Sequence, residues 1–209
     1  MSTFSERSTR FLHCPIGLLP RVLLMTAAGA MFVVYFLPLW NLTMFAPQYP
    51  HGLRLDIYDH GLVGGNGGQD VKEINVLNHY IGMRDLTAED FTEFNWMPFA
   101  LGAVGLLFLR AAVLGTVKEM VDAAVTLAYV GAFSLWSFGF RLYHYGHDLA
   151  PEAPVKVDPF MPPMFGYQKI ANFEVYSYPR TGSYVLAGVI ALLGWAMIKA
   201  WRDRAKPVL

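Results

Sequence analysis

Four long apolar stretches dominate the chain and predict four membrane-spanning helices. They cover residues 22–40, 97–114, 121–142 and 183–201, each to within a few positions. A helix that crosses a bilayer needs roughly 20 mostly apolar residues, because hydrocarbon offers a bare peptide group no hydrogen-bond partner. The pattern therefore predicts an all-α membrane protein, a single domain (1–209) built as a four-transmembrane-helix bundle.

Two polar stretches, 41–96 and 143–182, separate these helices and form long outer loops. Loops of this length are usually functional, disordered or able to form a domain. Their many Tyr, Phe, Ile and Pro residues argue against disorder, so we expect the two loops to pack together as a small cap. Within the first loop, Leu53, Leu55 and Ile57 occupy alternate positions, which predicts a short strand.

The segment DVKEINVLNHYIGM predicts a helix in the first loop. Asp70 stands where an N-cap residue is expected, and Glu73 follows three residues later, as in a capping box. In the second loop the third predicted helix runs into HYGHDL, and six prolines between 151 and 179 then predict an extended, rigid segment.

Composition and charge agree with a membrane protein. Hydrophobic residues make up 55% of the chain and charged residues 15%, whereas about 25% charged residues is usual in globular proteins. The net charge of zero gives no basic face for nucleic acid. The one cysteine, Cys14, excludes an intrachain disulfide and a Cys-x-x-Cys metal or redox motif.

The distribution of Lys and Arg predicts the orientation. More than half of these 16 residues lie in the short segments that would face the cytoplasm if the amino terminus does. These residues are Arg7, Arg10, Arg21, Arg110, Lys118, Lys199, Arg202, Arg204 and Lys206. We therefore expect a multi-pass protein of the bacterial inner membrane, with both termini cytoplasmic and both long loops periplasmic.

The loops concentrate residue types that bind metals. Five of the six histidines fall in them, with several methionines, and imidazole together with thioether suits copper. The predicted metal-ligand set combines one motif from each loop, with copper as the expected cofactor. Its members are Asn75, Asn78, His79, Met83, His144, His147 and Asp148.

A structural interpretation of the same residues stays open. Histidines are common at membrane interfaces, His144 and Asp148 would form a simple polar pair at a helix end, and methionines fill gaps in apolar cores. No catalytic motif of a known kind is present, so an enzyme is not predicted. No Asp, Glu or Lys lies at mid-membrane depth, which argues against a pump or secondary transporter.

Several segments carry a resemblance to a known family. PQYPHGLRLDIY, EINVLNHYIGM, HYGHDLAPEAP and PPMFGYQKIANFEVYSYP resemble segments of the NosB-like family. These are small four-span bacterial membrane proteins encoded beside atypical nitrous oxide reductase and copper-maturation genes. The resemblance covers most of the chain and implies a copper or respiratory setting, without an established ligand set.

Two functional hypotheses follow. In the first, the protein is an accessory factor of a copper-dependent respiratory system that binds copper, or docks a cytochrome, copper enzyme or chaperone, through its periplasmic loops. In the second, it is a structural or assembly subunit of a larger membrane complex with no metal of its own. A quinol or haem-b electron-transfer protein is a weaker third hypothesis, because no histidines are paired across two helices within the bilayer.

Overall fold

The computed structural model describes residues 11–204, and within this range the chain forms five α-helices and five β-strands. The helices are α1 (Leu18–Val34), α2 (Gln69–Tyr80), α3 (Glu93–Leu114), α4 (Val117–His147) and α5 (Thr181–Arg204). The strands are β1 (Trp40–Ala46), β2 (Tyr49–Ile57), β3 (Leu62–Gly64), β4 (Gly166–Ile170) and β5 (Phe173–Pro179).

All five strands belong to one antiparallel sheet in the order β3-β2-β1-β5-β4. The two stretches predicted as loops each supply part of it, and β1 and β5 pair at its centre. Met44 on β1 lies opposite Leu53 on β2 and opposite Val175 on β5. The two polar stretches therefore contact each other through backbone hydrogen bonds.

The prediction of an all-α four-helix bundle is wrong, because the chain is mixed α/β with a five-stranded sheet. The alternation at Leu53, Leu55 and Ile57 did indicate a strand, but a single short strand leaves its backbone groups unpaired. Its partner β1 is adjacent in sequence, whereas β5 lies beyond three helices, α2, α3 and α4. No local sequence pattern predicts the β1–β5 pairing. That pairing joins the strands of the two polar stretches into one sheet.

One face of the sheet is covered by α2 and forms an apolar core. Successive side chains of a strand point to opposite faces, so alternate residues of β1, β2 and β5 turn toward the helix. Ile74 and Leu77 of α2, and Ile81 directly after it, are at most 2% exposed and pack against them. Burial of each such side chain contributes about 1.5–3 kcal/mol. The proline-rich segment adds Val155 and Phe160 to the edge of this core.

The start of α2 differs from its prediction. Its N-cap residue is Gly68, and Asp70 lies inside the first turn rather than at the cap. The Asp70 carboxylate is buried, where it accepts hydrogen bonds from the Arg54 backbone N–H and the Asn66 side chain, both at 2.9 Å. Asp70 thus links α2 to β2 and to the glycine-rich turn through hydrogen bonds. The predicted capping box with Glu73 does not form.

Within residues 11–204, three helices are long and apolar enough to cross a membrane: Glu93–Leu114, Val117–His147 and Thr181–Asp203. Helix α1 is also apolar but has 17 residues and ends at Val34 rather than near residue 40. Pro38 explains the early end, because proline removes a helical hydrogen bond and disfavours helix at the preceding residue.

The chain divides into two compact units. The helical unit comprises the residues up to Val34, Phe99–Gly131 and the residues from Tyr184 onward. The α/β unit comprises Tyr35–Pro98 and Ala132–Ser183, and it contains the whole sheet and α2.

Small side chains fill much of the interior of the helical unit, while many large apolar side chains lie on its outside. Its buried alanines are Ala27, Ala28, Ala111, Ala112, Ala123, Ala196 and Ala200. Its exposed apolar residues include Phe99, Leu106, Val113, Ile190 and Trp195. Close backbone packing with apolar side chains outside is the pattern of helices surrounded by lipid.

Candidate functional site

The two histidine-bearing motifs meet at the end of α2. The Ala150 N–H donates to the Gly82 carbonyl at 2.8 Å, and the Val155 N–H donates to the Tyr80 carbonyl at 3.1 Å. Gly82 has φ of 81°, and a Cβ there would lie 2.9 Å from the Ala150 carbonyl oxygen. A glycine is therefore needed both to end the helix and to admit the second segment.

A second glycine holds the end of α4 against the proline-rich segment. The Phe160 N–H donates to the Gly146 carbonyl at 3.0 Å. A Cβ at Gly146 would lie only 2.0 Å from the Phe160 carbonyl oxygen. The Tyr145 hydroxyl also donates to the Asp85 carbonyl at 3.2 Å, which links α4 to the segment after α2.

On the α2 side, the predicted ligand residues are mostly engaged elsewhere. The Asn75 amide oxygen accepts from the Leu86 N–H at 2.8 Å, and its amide nitrogen donates to the Leu86 carbonyl at 3.3 Å. Asn78 is buried and Met83 packs against the apolar core, while His79 is exposed. Asn75 therefore shapes the loop that follows α2.

On the α4 side, the two histidines are held in one orientation by the helix itself. His144 Nδ1 lies 2.9 Å from the Phe140 carbonyl oxygen, and His147 Nδ1 lies 2.9 Å from the Tyr143 carbonyl oxygen. A carbonyl oxygen only accepts, so Nδ1 carries the hydrogen in both rings. When each ring is neutral, Nε2 then offers a lone pair, which is the usual arrangement of a metal-binding histidine.

Aromatic stacking restrains the same rings further. The His144 ring centroid lies 4.1 Å from that of Phe140, and the His147 centroid lies 3.8 Å from that of Tyr143. Asp148 is exposed and follows the helix, its N–H donating to the His144 carbonyl at 2.9 Å. The His144 and His147 rings are thus each held by a backbone carbonyl and by a stacked aromatic ring, while the Asp148 carboxylate forms no hydrogen bond or ion pair with either ring.

The imidazole and carboxylate members of the predicted ligand set do not form one group. Across the part of the chain that the structure describes, no three His, Cys, Asp or Glu side chains are close enough together to hold a metal ion. The fold brings the backbones of the two motifs together, but His79 does not join the α4 histidines in such a group. The seven-residue copper site stays a prediction.

The sheet carries a second candidate surface that the sequence analysis missed. The face opposite α2 bears aromatic rings in mutual contact. Tyr176 packs against Phe45 and Tyr167, with centroids 5.6 and 4.9 Å apart, and Phe165 meets Tyr178 at 5.3 Å. Phe165, Tyr167 and Tyr178 are between 43% and 67% exposed. We call these five residues the aromatic face.

The alternation of buried and outward-facing residues along β5 is the sequence pattern that could have predicted the aromatic face. Phe173, Val175 and Ser177 are buried on the side of α2, so Glu174, Tyr176 and Tyr178 must point the other way. Burial, and then the nearby Glu174 carboxylate, raises the pKa of the Tyr176 hydroxyl above its ordinary value. The Tyr176 hydroxyl donates its hydrogen bond to the Glu174 carboxylate at 3.3 Å.

Polar groups border the aromatic face. The buried Asp56 carboxylate accepts from the Asn41 amide at 2.9 Å, pairs with Arg54, and lies 3.6 Å from Arg180 Nε. The Thr43 hydroxyl joins this group of polar side chains by donating to the Asn41 amide oxygen at 2.8 Å. The surface thus combines exposed aromatic rings with half-exposed guanidinium groups, the residue types enriched at protein interfaces.

A further polar cluster joins α3 to α4 inside the α/β unit. The buried Glu93 carboxylate accepts from the Ser137 hydroxyl and from Arg141 Nε at 3.1 Å. Arg141 also donates to the Thr92 hydroxyl at 3.0 Å and lies over the Phe91 ring. This ion pair escaped the sequence analysis because Glu93 and Arg141 stand far apart along the chain.

Comparison with protein-family models, with curated proteins and with solved structures finds no match for this chain.

Proposed function

We propose that the protein is a membrane-anchored accessory subunit that docks a partner protein through the aromatic face of its sheet. The observation that carries the proposal is the asymmetry of the sheet. One face is sealed by α2, while the other presents Phe165, Tyr167 and Tyr178 to the surroundings. Exposed aromatic residues next to arginines are the usual anchors of protein–protein contacts.

The proposal places the protein in the bacterial inner membrane as a multi-pass protein with both termini cytoplasmic. Three helices have the required length and hydropathy. Helix α1 would be the fourth crossing, since 17 residues is near the lower limit for a span. The Lys and Arg distribution supports this orientation, which makes the sheet periplasmic. The resemblance to the NosB-like family favours a respiratory partner, such as a cytochrome or copper enzyme.

A photo-crosslinking residue in place of Tyr167 tests the docking proposal. After illumination of native membranes, we expect one discrete crosslinked protein, identifiable by mass spectrometry. The matched control places the same residue at Val76, which is 61% exposed on α2 outside the aromatic face. No crosslink at Tyr167, or the same crosslink from both positions, would refute docking through this face.

Copper binding is the second candidate function, because one observation specifically favours it. His144 and His147 stand three residues apart on α4, and each keeps Nε2 for a ligand while Nδ1 is fixed by a backbone carbonyl. Two such imidazoles suit copper as part of a coordination sphere that a partner would complete. These two histidines are the part of the predicted seven-residue set that the proposal uses, and copper is the cofactor proposed for them.

Competition with a chromogenic Cu(I) chelator tests this candidate on the purified protein. We expect His144→Ala/His147→Ala to lose one equivalent of bound copper, whereas His51→Ala/His60→Ala keeps it. Elemental analysis of protein from native membranes should agree. Unchanged copper binding in the first double variant, or no copper binding by the wild type, would exclude the site.

A further inference from the structure

An apolar cavity lies in the helical unit between the start of α4 and the end of α5. Its volume is about 270 Å³. Its walls include Val117, Met120 and Val121 from α4, and Met197, Ile198 and Trp201 from α5. The side chains that line it carry almost no hydrogen-bonding groups, so a polar ligand would lose its hydration without replacement.

The cavity opens onto an apolar surface. Ile198 is 51% exposed and Trp201 is 70% exposed, although both line the cavity. Leu114 and Val125, close in sequence to its α4 wall, are exposed as well. In a bilayer this surface faces lipid tails, so an acyl chain reaches the cavity without crossing water.

Cationic side chains stand beside the cavity. Arg202 follows Trp201 and lies one helical turn beyond Ile198, and it has no ion pair with any residue that the structure describes. Lys118 follows Val117, and its contact with Asp122 at 3.8 Å joins two half-exposed groups. Such an exposed pair is weak. Both cations are therefore able to attract an anionic group near the mouth of the cavity.

We propose that this cavity binds one acyl chain of an anionic phospholipid, with the lipid phosphate near Arg202 and Lys118. The apolar walls and the exposed apolar opening select a hydrocarbon chain, and the two cations select the negative headgroup. A peptide is disfavoured, because its backbone would find no hydrogen-bond partners on these walls. The inference rests on the membrane location proposed above.

Native mass spectrometry of the detergent-solubilised protein tests the proposal. The protein is first reconstituted with equal amounts of phosphatidylglycerol and phosphatidylcholine that have the same acyl chains. We expect one retained phosphatidylglycerol molecule on the wild type. Val121→Trp fills the cavity and should abolish retention, whereas Val125→Trp, one turn further along α4 and outside the cavity walls, should preserve it.

The headgroup is tested separately with Lys118→Gln and Arg202→Gln. Each basic side chain near an anionic membrane surface strengthens binding of the anionic lipid. Removal of one such charge should therefore lower the preference for phosphatidylglycerol over phosphatidylcholine about fivefold. Equal retention of both lipids by the wild type, or unchanged retention by Val121→Trp, would overturn the proposal. Thermal unfolding of each variant identifies any that fails to fold, and Met120→Phe then serves as the second cavity-filling variant.

Alkaline extraction of membranes separates this result from the proposed location. If extraction releases the protein, the membrane proposal fails and the lipid site fails with it. If the protein stays in the membrane but Val121→Trp still retains phosphatidylglycerol, the lipid site alone is refuted.

Discussion

The helical unit and the α/β unit both bury apolar side chains but differ in what they expose. In the helical unit, alanines occupy much of the interior and residues such as Leu106 and Phe99 lie outside. In the α/β unit, Ile74 and Leu77 lie inside, and charged residues such as Arg54 are exposed. The surface of the helical unit is thus more apolar than that of the α/β unit, and the energetic value of a leucine depends on whether it is buried.

The largest effect expected from this contrast comes from one substitution made in both units. Leu77→Ala, in the core under the sheet, should lower the free energy of unfolding by about 2–5 kcal/mol, because it removes buried methyl groups and leaves a cavity. Leu106→Ala should change it by less than about 0.5 kcal/mol, since lipid tails are as apolar as leucine. Thermal unfolding in one detergent measures both. Similar losses would show that the units do not differ in this way.

Two glycines of α4 give the next largest contrast. Gly146→Ala should destabilise the protein by about 1–3 kcal/mol, because the new Cβ would overlap the Phe160 carbonyl. Gly131→Ala meets nothing within 4 Å and should be neutral, or stabilising by up to about 1 kcal/mol through better helix propensity. Limited proteolysis should show the 148–165 segment becoming sensitive only in Gly146→Ala. Equal sensitivity of both variants would contradict the packing described for this segment.

The smallest expected effect is a pH dependence of stability that arises from one hydrogen bond in the α/β unit, between Tyr49 and Glu73. The hydrogen bond from the Tyr49 hydroxyl, and a second from Gln69, lower the pKa of Glu73 below its ordinary value of 4.5. The same Glu73 hydrogen bond raises the pKa of Tyr49 above 10.0. The Tyr49–Glu73 hydrogen bond therefore stabilises the folded protein fully at pH values between the ordinary pKa of glutamate, 4.5, and that of tyrosine, 10.0. It is lost as the pH falls through the lowered Glu73 pKa, or rises through the raised Tyr49 pKa.

Tyr49→Phe measures this contribution. The variant should melt at a lower temperature than the wild type at neutral pH, and the two curves should converge below the ordinary pKa of glutamate. Gln69→Ala serves as the control, because it removes only the weaker of the two hydrogen bonds to Glu73. Its melting temperature at neutral pH should therefore fall less than that of Tyr49→Phe. A melting-temperature difference that stays constant down to about pH 3 would exclude Glu73 as the source.

Sequence patterns predicted the elements that depend on local information. The apolar stretches at 97–114, 121–142 and 183–201 lie within α3, α4 and α5, and the helix DVKEINVLNHYIGM is present as α2. The sheet could not be predicted in the same way. Its central pair joins Met44 to Val175, and pairing register is a property of two distant segments together.

The candidate site was predictable to a similar degree. Spacing put His144 and His147 on one face if the helix continued past residue 142, and α4 does continue to His147. Spacing could not show that Asn75 binds the Leu86 backbone, because that contact depends on how the chain turns after α2. Nor could it find the aromatic face, since Phe45 and Tyr176 become neighbours only once β1 and β5 pair.

The β1–β5 pairing also orders events during synthesis. Strand β1 leaves the ribosome long before β5, with α3 and α4 made in between. At ordinary translation rates of about 5–20 residues per second, β1 waits for several seconds with one edge unpaired. The chain therefore makes the intervening helices before the strand that closes the sheet exists. The nascent β1–β2 hairpin, with one edge of β1 unpaired, is the point at which misassembly of this protein would begin.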